Sequence, residues 1–308
     1  MDLIKKVLTE NLIEELAEAI FKSTDFAWQD IEEIRMRINR PVFIKCHGKE
    51  YILKFNNIPI VMDKIMVKRA VMVLSKSSFY AFEDEMKQGF ITIKGGHRIG
   101  LCGEAVLEND SIKTLKNING INFRIGREIL GVGRCLVPYI VEESEIKHTL
   151  IVAPPAVGKT TVLRDLARIF GDGEGVEAVN VGIADERLEL SGCFLGVPQL
   201  NIGERTDVIS GCSKADGMMM LIRSMAPRLI VTDEIGKSED ADAMLEAINC
   251  GVKIITSAHG NSFEGLIKRP IISGMIKDSF FERIVFIDRE ETNTFVKAVY
   301  DSKGNKLC

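Results

Sequence analysis

The sequence has few of the features that mark metal sites, disulfide scaffolds or membrane spans. Its 7 cysteines are scattered and form no Cys-x-x-Cys pair, which signals neither a zinc site nor a redox dithiol, and its 4 histidines show no ligand spacing. No stretch approaches the roughly 20 apolar residues of a spanning helix, and the N-terminal segment is too interrupted by charges for a signal peptide. We therefore expect a cytoplasmic protein with reduced thiols, no direct membrane insertion, and any membrane role peripheral and mediated by a partner protein.

A strong charge of one sign is also missing. The chain has 40 basic and 44 acidic residues, a net charge of −4, and no basic stripe with interleaved aromatic residues. Because such a stripe is typical of single-strand nucleic-acid binders, no nucleic-acid partner is expected. What is present is a soluble globular composition, 46% apolar and 27% charged, with enough residues for one large or two ordinary domains.

The first 140 residues predict a mixed α+β domain without a recognisable catalytic constellation. Alternating apolar and polar residues indicate short strands, and Gly95-Gly96 supplies the positive φ of a tight hairpin turn. The predicted elements are a helix over 1–23, strands over 34–38, 42–44 and 51–53, helices over 63–75 and 77–87, a hairpin over 90–107 and a strand over 121–125. A loose connector around 131–138 places the domain boundary at about 140.

Residues 141–308 predict an α/β domain. Strands alternate with helices from 148 to 258, so the core sheet is expected to be mostly parallel. The predicted elements are strands over 150–152, 176–184, 229–234 and 252–256, helices from 159 and over 215–225, 238–249 and 263–268, a surface loop over 191–213, and a closing antiparallel pair over 283–287 and 294–300. Ser238 is the expected N-cap of its helix.

The segment HTLIVAPPAVGKTT at 148–161 predicts a phosphate-binding loop between a buried strand and an amphipathic helix. In such loops backbone N–H groups cradle phosphate, the lysine reaches the β- and γ-oxygens of ATP, and the following hydroxyl, here Thr160, holds Mg²⁺. The residues predicted to bind ATP are Ala153, Pro154, Pro155, Ala156, Val157, Gly158, Lys159, Thr160 and Thr161. Ala153 stands where glycine is usual, which alanine tolerates if its φ is negative.

The strand RLIVTDE supplies the second half of an ATP site. Its terminal acids would reach the carboxyl edge of the sheet beside the phosphate loop. Asp233 is predicted to bind Mg²⁺ through its water shell, and Glu234 to orient the attacking water. His259 follows the next strand, where a γ-phosphate sensor is expected. Residues that could stabilise charge in trans are Arg205, Arg187 and Arg223.

The run RSMAPRLIVTDEIGKSEDADAMLEAINCGVKIITSAHGNS resembles the secretion and type IV pilus ATPases. Together with IGERTDVISGCSKADGMMM, EIRMRINRP, GGHRIGLCGEA and ADERLEL, it resembles more closely the stage III sporulation AA family of endospore-forming bacteria. The resemblance implies a RecA-like P-loop ATPase domain behind a smaller N-terminal domain. It implies Lys159 and Thr160 as phosphate and Mg²⁺ residues, Glu234 as catalytic base and His259 as sensor.

The same resemblance implies a homo-oligomeric ring, expected to be a hexamer, in the mother cell. The ring would dock on a membrane protein of the channel between mother cell and forespore. First-domain arginines act near the nucleotide in secretion ATPases, and Arg124 and Arg127 are the candidates here. A ring ATPase is the first hypothesis, and a nucleotide-gated scaffold with little turnover is the alternative. A nucleic-acid-dependent ATPase is a further alternative that the net acidity disfavours.

Overall fold

The computed structural model describes residues 3–75, 83–290 and 293–308, and it divides the chain into two units, Met1–Arg127 and Glu128–Cys308. Residues 128–140 therefore belong to the second unit, although the sequence pattern places the boundary at about 140. Two kinds of contact explain the difference. The Gly133 N–H donates to Asp165 Oδ2 over 2.7 Å, and Leu136 and Ile140 are fully buried in the second unit's core.

The first unit contains a six-stranded antiparallel sheet with helices, in agreement with the predicted α+β class. Its strands lie in the order β3-β2-β1-β8-β7-β6. The main elements are α1 Leu3–Asn11, α2 Glu14–Lys22, β1 Ile31–Arg37, β2 Phe43–Cys46, β3 Lys49–Ile52, the small pair β4 Lys54–Phe55 and β5 Ile58–Pro59, α3 Lys64–Leu74, α4 Glu83–Lys87, β6 Phe90–Ile93, β7 His97–Glu108 and β8 Ser111–Arg124. Gly95 and Gly96 have φ of 91° and 72°, which confirms the predicted hairpin turn.

The predicted single helix over 1–23 is wrong, because the chain forms two helices there. Ile13 has an extended backbone, with φ −66° and ψ 146°, and starts the second helix. The break lets the adjacent apolar side chains of Leu12 and Ile13 both be buried, at 4% and 2% exposure. One continuous helix would point neighbouring side chains about 100° apart. Of the predicted helix over 77–87, residues 77–82 lie outside the described residues.

The second unit is built on a seven-stranded sheet with helices, in the order β13-β12-β14-β15-β11-β16-β17. Only the β16–β17 pair is antiparallel, which confirms the mostly parallel sheet and the closing antiparallel pair. The elements are α5 Val137–Ile140, the small pair β9 Val141–Glu142 and β10 Glu145–Ile146, β11 Thr149–Ala153, α6 Lys159–Asp172, β12 Val181–Asp185, β13 Thr206–Ser210, α7 Lys214–Met225, β14 Leu229–Glu234, α8 Ser238–Asn249, β15 Lys253–His259, α9 Phe263–Leu266, α10 Pro270–Lys277, β16 Arg283–Glu290 and β17 Asn293–Asp301.

Three predicted details of this unit are wrong. The strand expected over 176–184 begins only at Val181, and the expected surface loop over 191–213 contains the edge strand β13, which pairs in parallel with β12. The sequence pattern hides β13, because all five residues of this edge strand are partly exposed and only Val208 and Ile209 are apolar. The N-cap of α8 is Lys237 rather than Ser238, since Asp240 Oδ2 accepts the N–H groups of Gly236 and Lys237.

Two apolar cores lie against the sheet, and both include residues of the central strands β11, β14 and β15. These strands run in parallel, so their carboxyl ends meet at one edge of the sheet. That edge carries the phosphate loop, the acids of β14 and His259 of β15. Within the described ranges, no helix is both long and apolar enough to cross a membrane.

Candidate nucleotide site

The phosphate loop links β11 to α6 and ends at Gly158, the N-cap of the helix. Gly158 has φ 103°, a left-handed conformation that favours glycine. Since glycine has no side chain to cap the helix, the N–H groups of the first turn, which contains Thr160 and Thr161, are available to an anion. The 14-residue α6 adds its dipole to this end. The local geometry therefore suits a phosphate group.

The alanines of this loop have different backbone conformations. Ala153 is fully buried at the end of β11 and is absent from the residues with positive φ, so it adopts the negative φ that alanine requires there. Ala156 instead has φ 66°, in the left-handed region that an L-residue adopts at a cost of roughly 1–2 kcal/mol. The backbone strain of the loop thus lies at Ala156 and not at Ala153, the position that the sequence pattern marks as unusual.

Lys159 is buried, with 8% of its surface exposed. Its Nζ donates to the carbonyl oxygens of Ala153 and Pro154, each over 3.0 Å, and lies 2.6 Å from His259 Nδ1. Burial lowers the pKa of the Lys159 ammonium. The ammonium is therefore held at the mouth of the loop by neutral acceptors that a phosphate oxygen could replace.

His259 connects Lys159 to Glu234. Its Nε2 lies 3.0 Å from Glu234 Oε2, and its backbone N–H donates to Glu234 Oε1 over 3.3 Å. An ammonium has only donors, so Nδ1 of His259 must accept from Lys159. The remaining ring proton then lies on Nε2 and is donated to the Glu234 carboxylate. The three predicted residues Lys159, His259 and Glu234 therefore form one continuous chain of contacts.

A β-bulge lies at the end of β14, where the side chains of Asp233 and Glu234 face different partners. The register between β14 and β15 shifts between Val231 and Glu234, and Thr256 Oγ1 donates to the Asp233 carbonyl over 2.7 Å. Asp233 Oδ1 lies 3.0 Å from Lys214 Nζ, whereas Glu234 faces His259. Burial raises the pKa of the Asp233 carboxyl to about 6, an increase that Lys214 opposes. The two acids therefore have different partners.

Two basic residues of this site are missing from the sequence-based set. Lys214 opens α7, and its side chain is only 9% exposed beside Asp233. Arg269, the N-cap of α10, places NH1 3.8 Å from Glu234 Oε1. One signal could have revealed Lys214: a lysine in the first turn of a helix is unfavourable with the helix dipole and therefore calls for a specific partner. No comparable signal marks Arg269.

The candidate arginines are not brought to this edge as a group. Arg205 precedes β13 at the opposite, amino edge of the sheet, where NH1 donates to the Gly171 carbonyl over 3.3 Å. Arg187 follows β12 at the carboxyl edge, and Arg223 lies near the end of α7 that leads to the start of β14. Their roles in trans stay predictions.

In the first unit, Arg124 is the exposed last residue of β8. Arg127 donates through NH2 to the carbonyl oxygens of Gln29 and Ile31. Arg127 therefore binds the backbone of its own unit. A role for either arginine at a nucleotide stays a prediction.

The oxygen donors at this edge are compatible with Mg²⁺. Among the described residues, no group of three or more His, Cys, Asp and Glu side chains could hold a metal ion by itself. Mg²⁺ sites usually need only one or two side-chain oxygens, completed by water and substrate phosphates. Thr160, in the first turn of α6, and Asp233, at the end of β14, offer a hydroxyl and a carboxylate at the same edge of the sheet.

Comparisons with solved structures give the fold. The ATPase DotB of Yersinia pseudotuberculosis matches with a TM-score of 0.59 and 13% identity, covering 95% of this chain and 81% of that chain. The pilus retraction motor PilT, solved with bound ADP, matches with a TM-score of 0.56 and 14% identity, covering 93% and 78%. The fold is therefore that of the RecA-like secretion ATPases, with a mixed α/β unit preceding the P-loop unit.

Sequence comparisons give the family. The profile described as "Sporulation stage III, protein AA" matches residues 3–307. "Stage III sporulation protein AA" of Bacillus subtilis (strain 168) is 42% identical over 301 residues, which cover 97% of this chain and 96% of that protein. The expected resemblance is confirmed, and the chain belongs to the stage III sporulation protein AA family.

Proposed function

We propose that this protein binds ATP with Mg²⁺ at the carboxyl edge of the second unit's sheet and hydrolyses it. The observation that carries the proposal is the contact chain from Lys159 through His259 to Glu234, with 2.6 Å and 3.0 Å between the polar atoms. It joins a phosphate-loop lysine to a carboxylate at a strand end, the two groups that phosphoryl transfer to water requires.

Each residue has a distinct role in this proposal. The N–H groups that follow Gly158 hold the β-phosphate, and Lys159 leaves its backbone acceptors to bind the β- and γ-phosphate oxygens. Thr160 and Asp233 would hold Mg²⁺, which neutralises charge on the phosphates. Glu234 orients the attacking water and accepts its proton. His259, bound to both Lys159 and Glu234, would report the presence of the γ-phosphate.

The substitution Glu234→Gln tests the proposal. It keeps the size of the side chain but removes the carboxylate, so ATP binding should persist while the steady-state hydrolysis rate falls on the order of 100-fold or more. Glu264→Gln, at an exposed position of the same unit, is the matched control and should hydrolyse ATP like the parent. Unchanged turnover in Glu234→Gln would remove the role assigned to Glu234.

We further propose that six copies form a ring in the mother cell, with hydrolysis at the subunit boundaries. Such a ring would move or assemble the channel to the forespore through a docked membrane protein. The family relationship and the secretion-ATPase fold support this proposal. Mass photometry with and without ATP measures assembly, and detergent-solubilised pull-downs from sporulating cells identify the partner and its compartment.

The cellular test separates a motor from a nucleotide-gated scaffold. If hydrolysis drives the process, spores should fail to form with either Glu234→Gln or Lys159→Ala. If Glu234→Gln supports spore formation and Lys159→Ala does not, ATP binding alone is required and the scaffold replaces the motor.

A further inference from the structure

Lys214 is a buried lysine surrounded by carboxylates next to the proposed site of hydrolysis. Its Nζ lies 3.0 Å from Asp233 Oδ1 and donates to the backbone carbonyl of Glu234. Two further acids lie just outside this contact shell, Glu186 at 3.7 Å and Asp240 at 3.9 Å. The acids come from the end of β12, the end of β14 and the first turn of α8, so a single ammonium joins three elements at the carboxyl edge.

The N-cap of α7 sets the position of Lys214 relative to this cluster. Ser213 is the N-cap of α7, and its side chain accepts the Asp216 N–H over 3.2 Å, which defines where the helix begins. Burying an ammonium is costly unless it is paired and hydrogen-bonded. A first-turn lysine also opposes the helix dipole. Burial of the ammonium and its position in the first turn of the helix are both unfavourable. The contacts with Asp233 and with the Glu234 carbonyl must offset them.

The atoms that Lys214 binds belong to the two residues at the end of the β-bulge. Lys214 contacts the Asp233 carboxylate and the Glu234 carbonyl, while Thr256 Oγ1 holds the Asp233 carbonyl over 2.7 Å. The bulge is thus held at three polar groups. In this arrangement the Glu234 side chain faces His259, and the Asp233 side chain faces Lys214.

We propose that Lys214 is a positioning residue for nucleotide hydrolysis, which fixes the Asp233 carboxylate for the metal and the Glu234 carboxylate for water. The proposal rests on the proposed function. It assigns no contact between Lys214 and the nucleotide. It predicts instead that Lys214 acts on the metal through the Asp233 carboxylate and on the attacking water through the Glu234 carbonyl.

The test compares Lys214→Met, Asp233→Asn and the double variant with the parent. Lys237→Met is the matched control, because Lys237 lies 3.9 Å from the same Glu186 but is 65% exposed. The affinity for a fluorescent ADP analogue is measured in EDTA and across a Mg²⁺ titration, and kcat and KM for ATP are measured separately. Thermal unfolding checks that each variant is folded.

Lys214→Met should keep the affinity measured in EDTA within about threefold, because the phosphate loop is intact. The factor by which Mg²⁺ increases the affinity for the ADP analogue should fall at least tenfold in this variant. Its kcat for ATP should also fall at least tenfold. In the Mg²⁺ titration the double variant should lose no more than Asp233→Asn alone, because Lys214 acts on the metal through Asp233 and the two losses are then not additive. Lys237→Met should match the parent.

Two results would overturn the proposal. One is a Lys214→Met variant with the parent's Mg²⁺ response, and the other is a double variant whose Mg²⁺ response shows the sum of the losses of the two single variants. If Lys214→Met does not fold, the double variant, which removes both charges, is still compared with Asp233→Asn. If the parent binds the analogue without hydrolysing ATP, the proposed hydrolysis fails while the Mg²⁺ titration still tests Lys214.

Discussion

The two units of this protein differ in how many charged side chains they bury. In the described part of the second unit the buried charged residues are Lys159, Arg164, Asp165, Arg168, Asp185, Lys214 and Asp240. In the described part of the first unit, the buried polar residues are Asn11, Ser75, Thr92 and His97, and no lysine, arginine, aspartate or glutamate is among them. Both units have apolar cores, so the contrast concerns charge and not hydrophobic packing.

This difference shows where the fold holds charge in fixed positions. Buried charges are costly unless they are paired, and here each has defined partners. Asp185, for example, accepts the N–H groups of Glu189, Leu190 and Ser191 together with the Ser191 hydroxyl. A parallel sheet brings successive strand ends to one edge, whereas the antiparallel sheet of the first unit has no such common edge. The second unit thus holds paired charges at one edge of its sheet, whereas no charged residue is buried in the described part of the first unit.

Removal of a core side chain of the first unit should destabilise the protein most. Phe123 is fully buried, and Phe123→Ala should lower the free energy of unfolding by about 3–5 kcal/mol, because it leaves a cavity. Nucleotide affinity of the folded protein should stay unchanged. Chemical denaturation and analogue binding measure the two effects. A loss of affinity in the folded variant would contradict the division of roles between the units.

The next prediction concerns a buried charge of the second unit, the ammonium of Lys159. Lys159→Ala should weaken binding of a fluorescent ATP analogue by about 2–3 kcal/mol, on the order of 100-fold, because charge-assisted hydrogen bonds to phosphate are lost. Lys277→Ala, at an exposed position of α10, is the control and should bind like the parent. Equal affinities for Lys159→Ala and the parent would place the nucleotide elsewhere.

Acid should weaken both units through one histidine each, the buried His97 and the partly buried His148. Burial lowers the pKa of His97 and of His148 to about 4, from an ordinary value near 6.5. Each ring is neutral in the fold, so its contribution to stability is complete above about pH 6.5 and is lost progressively as the pH falls toward about 4. The expected loss at pH 5 is about 2 kcal/mol per histidine.

Asparagine variants test this pH dependence. His97 Nδ1 accepts the Gly126 N–H, and His148 Nδ1 accepts the Ile254 N–H. His97→Asn and His148→Asn can keep these acceptors but cannot become charged. Each variant should therefore lose less stability than the parent between pH 7 and pH 5, as measured by urea unfolding. Parallel pH profiles for variant and parent would refute the assignment.

The smallest effect compares one glycine in each unit. Gly158 and Gly48 have φ of 103° and 74°, and an added Cβ would meet no atom within 4 Å at either position. Alanine should therefore cost roughly 1–2 kcal/mol of stability at each, through backbone strain alone. Only Gly158→Ala should also weaken nucleotide binding. A similar loss of affinity in Gly48→Ala would show that the first unit takes part in binding.

Much of the fold was predictable where the pattern is local. The strand before the phosphate loop, the helix that begins at Lys159 and the acidic strand Leu229–Glu234 are confirmed. The edge strand β13 was missed because only two of its five residues are apolar and polar and glycine residues surround it, and the break at Ile13 because no proline or glycine marks it. Periodicity records which residues are apolar, and it carries no information on which strand pairs with which.

The chemical groups of the candidate site can be identified from local sequence patterns. Gly158-Lys159 before an amphipathic helix and two acids after an apolar run are recognised without knowing which strands are neighbours. How these groups meet depends on the tertiary structure. The parallel pairing of β11 with β15 sets Ala153 opposite His259, and the register shift at the end of β14 pairs Glu234 with Ser257. Such contacts join residues far apart in the chain, and they depend on sheet register and burial.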